Sequence, residues 1–85
     1  MTREEAVLQH LNRNEDRIYY LLKEQSFSKA NEAINTQLAC LRLLNMMGYK
    51  VIEDPTQSEL VEGYRVMKYI KIEDKRWFNI TLSSL

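Results

Sequence analysis

The residue types that most often bind metals are scarce in this sequence, and their spacing does not fit a metal site. The chain has one histidine, His10, and one cysteine, Cys40, and the helical pattern places them in different predicted helices. A closed metal site takes about four ligands, usually with short fixed spacings between them. We therefore predict no metal site, and we interpret His10 as an exposed residue and Cys40 as a core residue.

Side chains that could act as nucleophiles occur where a structural role already accounts for them. Ser26, Ser28 and Thr56 fit helix caps or turns. Gly48 and Gly63 fit the ends of helices, so no glycine-rich phosphate loop is expected. Covalent catalysis needs a nucleophile beside a positioned base, and no such pair is indicated. We predict no catalytic residues, no cofactor and no enzymatic activity.

The outer face of a C-terminal β-hairpin, predicted over residues 64–82, is the first candidate binding surface. Phe78, Ile80 and Leu82 alternate on one side of its second strand, which pairs them with Ile70 and Ile72 of the first strand through a loop around residues 73–75. The outward-facing and turn residues are Arg65, Met67, Tyr69, Lys71, Lys75, Arg76 and Trp77.

This predicted outer face supports more than one interpretation. Trp, Tyr and Arg are enriched where proteins bind each other, which favours a protein partner. In the alternative, a nucleic-acid-binding regulator, the basic side chains contact phosphates and Trp77 stacks on a base. A third interpretation is a solvated sheet face on which Lys71 and Arg65 shield Trp77.

A second candidate surface consists of apolar side chains that the predicted elements leave uncovered. Leu43 and Met46 lie on the outer side of the central helix, and Tyr19 and Tyr20 lie on the first helix. In so short a chain, a helix that is apolar on two sides is often completed by another subunit, so we expect a homodimer through these residues. Alternatively, a short helix around residues 60–61 covers them.

The central helix is predicted over residues 28–49, with Ser28 as its N-cap and Gly48 as the left-handed residue at its end. Its apolar stripe contains one amide, Gln37, which pairs with a symmetry mate or satisfies a backbone group. Helix 1 runs from Arg3 to about residue 24 as one helix, or as two short helices that meet near residues 12–14. We prefer one helix and interpret its polar residues 13–17 as solvated.

After Gly48 the pattern predicts a strand over residues 49–53, a helix of about two turns ended by Gly63, and the hairpin. In the hairpin's first strand Val66, Lys68, Ile70 and Ile72 share the inner face, with Lys68 at a bulge or the sheet's edge. The predicted fold class is α+β, in the order α-α-β-α-β-β, with a helical hairpin packed on a small antiparallel sheet. We expect residues 1–85 to form one domain.

Composition and charge restrict the classes of function. The chain carries 12 basic and 12 acidic residues, so no net charge draws it to nucleic acid or to a membrane surface. No signal peptide or membrane-spanning stretch is expected, and the lone cysteine indicates a reducing, cytoplasmic location. We expect a small intracellular protein–protein interaction module, regulatory or inhibitory, of the kind that bacteria or phages encode to bind a host protein.

Overall fold

The computed structural model describes residues 1–75, which begin with a 21-residue helix, α1 (Arg3–Lys23). The Thr2 side chain caps this helix by accepting a 3.1 Å hydrogen bond from the Glu5 backbone N–H. No glycine or proline interrupts α1, and it continues through residues 13–17. The prediction of one continuous helix is therefore confirmed.

The second helix, α2 (Phe27–Met46), returns antiparallel to α1 after a tight turn in which Gln25 has a φ of +61°. Its N-cap is Ser26 rather than the predicted Ser28. Gly48 has a φ of +94° just beyond the helix, as predicted from the conformational freedom of glycine. Ala30 and Ala33 of α2 are buried in the core against Ile18 and Leu22 of α1.

Four strands follow the helices and form two small antiparallel sheets. The strands are β1 (Tyr49–Glu53), β2 (Glu59–Val61), β3 (Tyr64–Val66) and β4 (Tyr69–Asp74). β1 pairs with β4, and β2 pairs with β3 in a separate unit that we call the β2–β3 ribbon. The α+β class, with a helical hairpin followed by antiparallel strands, is confirmed. The main core cluster, to which both helices and the ribbon contribute, contains Ile18, Leu22, Ala30, Ala33, Val61 and Val66.

The short helix predicted around residues 60–61 is wrong, because these residues belong to β2. Asp54 instead stabilises a turn: its carboxylate accepts hydrogen bonds from the Thr56 backbone N–H at 3.0 Å and hydroxyl at 2.6 Å. Glu62 and Gly63 then have φ values of +49° and +82°, which reverse the chain between β2 and β3. Gly63 thus forms a hairpin turn and does not end a helix.

The backbone of this turn is strained at Glu62, because Glu62 is a non-glycine residue in the left-handed region of φ. We expect Glu62→Asn to raise the free energy of unfolding by about 0.5–1 kcal/mol, since asparagine tolerates this conformation better. Denaturant unfolding measures the change. Gly63→Ala tests the opposite change, from a residue that tolerates positive φ to one that does not. A Cβ at position 63 meets nothing within 4 Å, so we expect the substitution to be destabilising because of the φ of +82° alone. A less stable Glu62→Asn protein would contradict this account.

The strand predicted over residues 64–72 is interrupted at Met67 and Lys68, which separate β3 from β4. Val66 and Tyr69 are consequently both buried although they are three residues apart, which reverses the predicted alternation. Ile70 is unpaired at a bulge between Tyr69 and Lys71, and 52% of its surface is exposed. The inward prediction for Ile70 and the outward prediction for Tyr69 are both wrong.

The hairpin loop predicted around residues 73–75 is also wrong, since Glu73 and Asp74 lie within β4. The described partner of β4 is β1, in a register that pairs Tyr49 with Asp74 and Val51 with Ile72. The predicted second strand of the hairpin, residues 77–82, lies outside the described residues.

Candidate protein-binding surface

Three polar side chains of α1, Asn12, Asn14 and Glu15, form hydrogen bonds to other elements, and Asn12 bonds to the start of β4. Its amide N–H donates to the Tyr69 carbonyl at 2.9 Å, and its amide oxygen accepts from the Tyr69 backbone N–H at 2.8 Å. The side chain of Asn12 therefore takes the place of a neighbouring strand at the start of β4. This contact fixes the separation of α1 and β4.

Two residues further along α1, on a different side of the helix, Asn14 holds the two helices together. Its side-chain N–H donates to Gln37 Oε1 at 3.0 Å and to the Ala33 carbonyl at 3.2 Å. Gln37, only 1% exposed, donates in turn to the Leu11 carbonyl at 2.9 Å. Of the two roles expected for Gln37, the structure shows that it satisfies a backbone group.

Glu15 is the most deeply buried acidic residue described, with 1% of its surface exposed. Its carboxylate accepts hydrogen bonds from the Met67 backbone N–H at 3.0 Å and from the Tyr64 hydroxyl at 3.1 Å. Burial raises the pKa of Glu15, although both hydrogen bonds oppose the shift. The prediction that residues 13–17 are all solvated is wrong, because the strands cover this side of α1.

The residues predicted to bind a partner on the hairpin do not form one exposed face. Tyr69 is only 7% exposed, and the Met67 backbone is held by Glu15. Arg65 and Lys71 are exposed, but Arg65 on β3 donates a 3.3 Å hydrogen bond to Ser58, just before β2, whereas Lys71 belongs to the other sheet. Lys75 is also exposed, and the last two residues of the prediction, Arg76 and Trp77, lie outside the described residues.

The basic side chains near the end of β4 are balanced by one carboxylate. Glu73 forms ion pairs with Lys71 at 3.3 Å and with Lys75 at 2.9 Å, and these hydrogen bonds lower the pKa of Glu73. An acidic group between two lysines reduces the positive potential that phosphate binding requires. Among the described residues, this pairing disfavours the nucleic-acid alternative.

The residues predicted to form an oligomer interface lie at opposite ends of the helical hairpin. Tyr19 and Tyr20 are close to the turn between the helices, where Tyr19 packs against the core and Tyr20 is 64% exposed. Leu43 and Met46 lie near the far end of α2, and a 20-residue helix is about 30 Å long. The four residues therefore cannot form one small contact surface.

The far end of α2 presents a contiguous exposed apolar surface, which we call the α2 apolar face. Its members are Leu43, Met46 and Met47, which are 58%, 81% and 57% exposed. The spacings of three and four residues place all three on one side of the helix. An apolar patch of adjacent large side chains is a recognised mark of an interaction site, whereas single exposed apolar residues are ordinary.

Beside the α2 apolar face is a cleft of about 190 Å³, which we call the end cleft. It lies where the start of α1, the end of α2 and the β1–β4 sheet meet, and Met47 belongs to both features. Its lining residues are Arg3, Glu4, Val7, Leu44, Met47, Tyr49 and Ile72. The helical pattern predicted that Leu43 and Met46 are uncovered, but no local pattern signals the cleft, because its walls come from distant parts of the chain.

Residues 1–75 contain no cluster of three or more His, Cys, Asp or Glu side chains arranged to hold a metal ion. Neither α1 nor α2 has an apolar stretch of the length needed to cross a bilayer. Comparisons with protein-family models, with curated proteins and with solved structures found no match for this chain.

Proposed function

We propose that this chain is a small cytoplasmic protein-binding module, regulatory or inhibitory in role, and that the α2 apolar face contacts its partner. The observation that carries the proposal is the joint exposure of Leu43, Met46 and Met47 at the far end of a helix whose first half is packed into the core. Covering these side chains removes apolar surface from water and so favours association.

The partner that best fits this surface is a short amphipathic segment of another protein. A cavity of about 150 Å³ can hold a benzene ring, so the end cleft has room for one large apolar side chain. Met47, which lines the cleft, and Met46 on the α2 apolar face have flexible, unbranched side chains that adapt to a partner's shape. By contrast, a stable interface uses about 20–30 residues a side, so this face alone is too small for a stable homodimer.

The experiment compares the wild type with a Leu43→Asp, Met46→Asp double variant as immobilised baits in a nuclease-treated lysate of the source organism. A partner identified by mass spectrometry is then purified and titrated against both baits by calorimetry. We expect the double variant to bind at least about tenfold more weakly, because the carboxylates must be desolvated at the contact. Its free energy of unfolding should fall by only about 1–2 kcal/mol, because both side chains are exposed and the main cost is that of aspartate in the last turn of a helix.

Leu60→Asp is the matched control, because Leu60 is 61% exposed on β2, away from the α2 apolar face. It introduces the same chemical change and should leave partner binding intact. Equal affinity of the wild type and the double variant would refute this surface. Capture that requires nucleic acid and weakens steeply with salt would instead support the regulator alternative, and sedimentation of the free chain would reveal a homodimer.

A further inference from the structure

Glu15 occupies the contact between α1 and the start of the connection from β3 to β4. Its two carboxylate oxygens lie 3.1 and 3.5 Å from the Tyr64 hydroxyl, and one of them is 3.0 Å from the Met67 backbone nitrogen. Tyr64 belongs to the β2–β3 ribbon, and Met67 follows it directly. A single side chain of α1 therefore bonds both to the ribbon and to the connection that leads from the ribbon to β4.

No lysine or arginine of the described residues forms an ion pair with Glu15. An ionised carboxylate that is buried without a cation loses hydration and recovers only part of it through hydrogen bonds. Opening the ribbon would return this group to water. We propose that Glu15 is the proton-binding site of a latch, in which protonation closes the β2–β3 ribbon onto α1 and ionisation loosens it.

The groups that face Glu15 from the surrounding elements set the direction of this response. Tyr64 from β3 donates a hydrogen bond to the carboxylate, the Tyr69 side chain from β4 also interacts with Glu15, and Asp16 on α1 is the acidic neighbour. On α2 the nearby side chain is the uncharged Gln37, which interacts with Tyr69. Burial raises the pKa values of both tyrosines, so their hydroxyls stay neutral while Glu15 titrates.

The sign of the pH dependence follows from the raised pKa of Glu15, for which burial is the main cause. The closed state binds the proton more tightly than the open or unfolded state, in which the pKa is close to 4.5. The added stability of the closed state is complete below pH 4.5 and is lost as the pH rises through the closed-state pKa. The pKa values of Asp54 and Glu73 are lowered, so their contributions change only at more acidic pH.

Loosening the ribbon would uncover part of the core, since Val61 and Val66 cover Ile18 and Leu22 near the turn between the helices. This region lies at the opposite end of the hairpin from the α2 apolar face. The latch is therefore independent of the proposed binding surface, and either can fail without affecting the other.

Amide hydrogen exchange measured by NMR between pH 5 and 8, and corrected for intrinsic exchange rates, tests the latch. We expect the protection of the ribbon amides in the wild type to fall by more than about twofold as the pH rises. Glu15→Gln should remove this dependence, because its side chain does not titrate. Tyr64→Phe keeps the ring but removes a donor that favours the carboxylate, so it should move the transition to higher pH.

The amides of the β1–β4 sheet serve as the internal reference. The proposal is overturned if ribbon protection does not depend on pH, or if these reference amides change in parallel, which would mean that Glu15 titration acts on the whole fold. It is also overturned if Glu15→Gln retains the wild-type dependence. Should Glu15→Gln fail to fold, the direction of the shift in Tyr64→Phe decides the question.

Discussion

Asn12→Ala is expected to lower the free energy of unfolding by about 2–4 kcal/mol. The substitution removes both partners of the Tyr69 backbone, whose N–H and carbonyl bond to Asn12 at 2.8 and 2.9 Å. Tyr69 is only 7% exposed, so these groups cannot simply turn to bulk water. Each backbone group that is buried without a partner costs about 1–3 kcal/mol. Urea unfolding followed by circular dichroism measures the difference.

The matched control for this prediction is Asn45→Ala, which makes the same change at an exposed position of α2. We expect it to alter stability by less than about 0.5 kcal/mol. Asn12→Asp is a finer probe, because it keeps an oxygen for the Tyr69 N–H and loses the donor to the carbonyl. If Asn12→Ala proved as stable as Asn45→Ala, the Asn12–Tyr69 contact would not position β4.

Gln37→Ala is the second substitution with a large expected effect, a loss of about 2–4 kcal/mol in the free energy of unfolding. Gln37 is 1% exposed, so its removal leaves a cavity between α1 and α2. It also removes the hydrogen bonds to the Leu11 carbonyl and from the Asn14 amide. Thermal unfolding monitored by calorimetry gives the change.

Gln37→Leu separates the two contributions, because leucine fills most of the volume but forms no hydrogen bonds. We expect its stability to lie between those of the wild type and Gln37→Ala. In a double-mutant cycle, Asn14→Ala should cost less when residue 37 is already leucine. Strictly additive effects would show that the contact between Gln37 and Asn14 contributes nothing of its own.

The helical half of the fold was predictable, because its signals are local. Thr2 at the start of α1 and Gly48 beyond α2 mark helix ends, and the apolar periodicity connects them. The errors lie where a residue suits two local structures. A glycine at position 63 is equally compatible with the end of a helix and with a hairpin turn. The sequence does not reveal the turn at Asp54, which favours the hairpin.

The burial of Glu15 was not predicted, although the sequence contains a signal for it. Leu11, Glu15, Ile18 and Leu22 recur at spacings of four, three and four residues, and the structure buries all of them. Glu15 therefore lies inside the apolar stripe of α1, where a solvated carboxylate is out of place. What no local pattern could supply is its partners, because Met67 is 52 residues away along the chain.

Asn12 and Tyr69 are 57 residues apart in the sequence, so Asn12 is synthesised long before its partner. This delay affects the surface that the nascent chain exposes. The helical hairpin is complete at Met46, before the strands that cover α1 exist. During that interval Asn12 and Glu15 face water, interrupting what would otherwise be a continuous apolar side. These polar groups, which later contact the strands, thus make the exposed side of the nascent helical hairpin less apolar. A less apolar surface reduces the tendency of the nascent chain to aggregate.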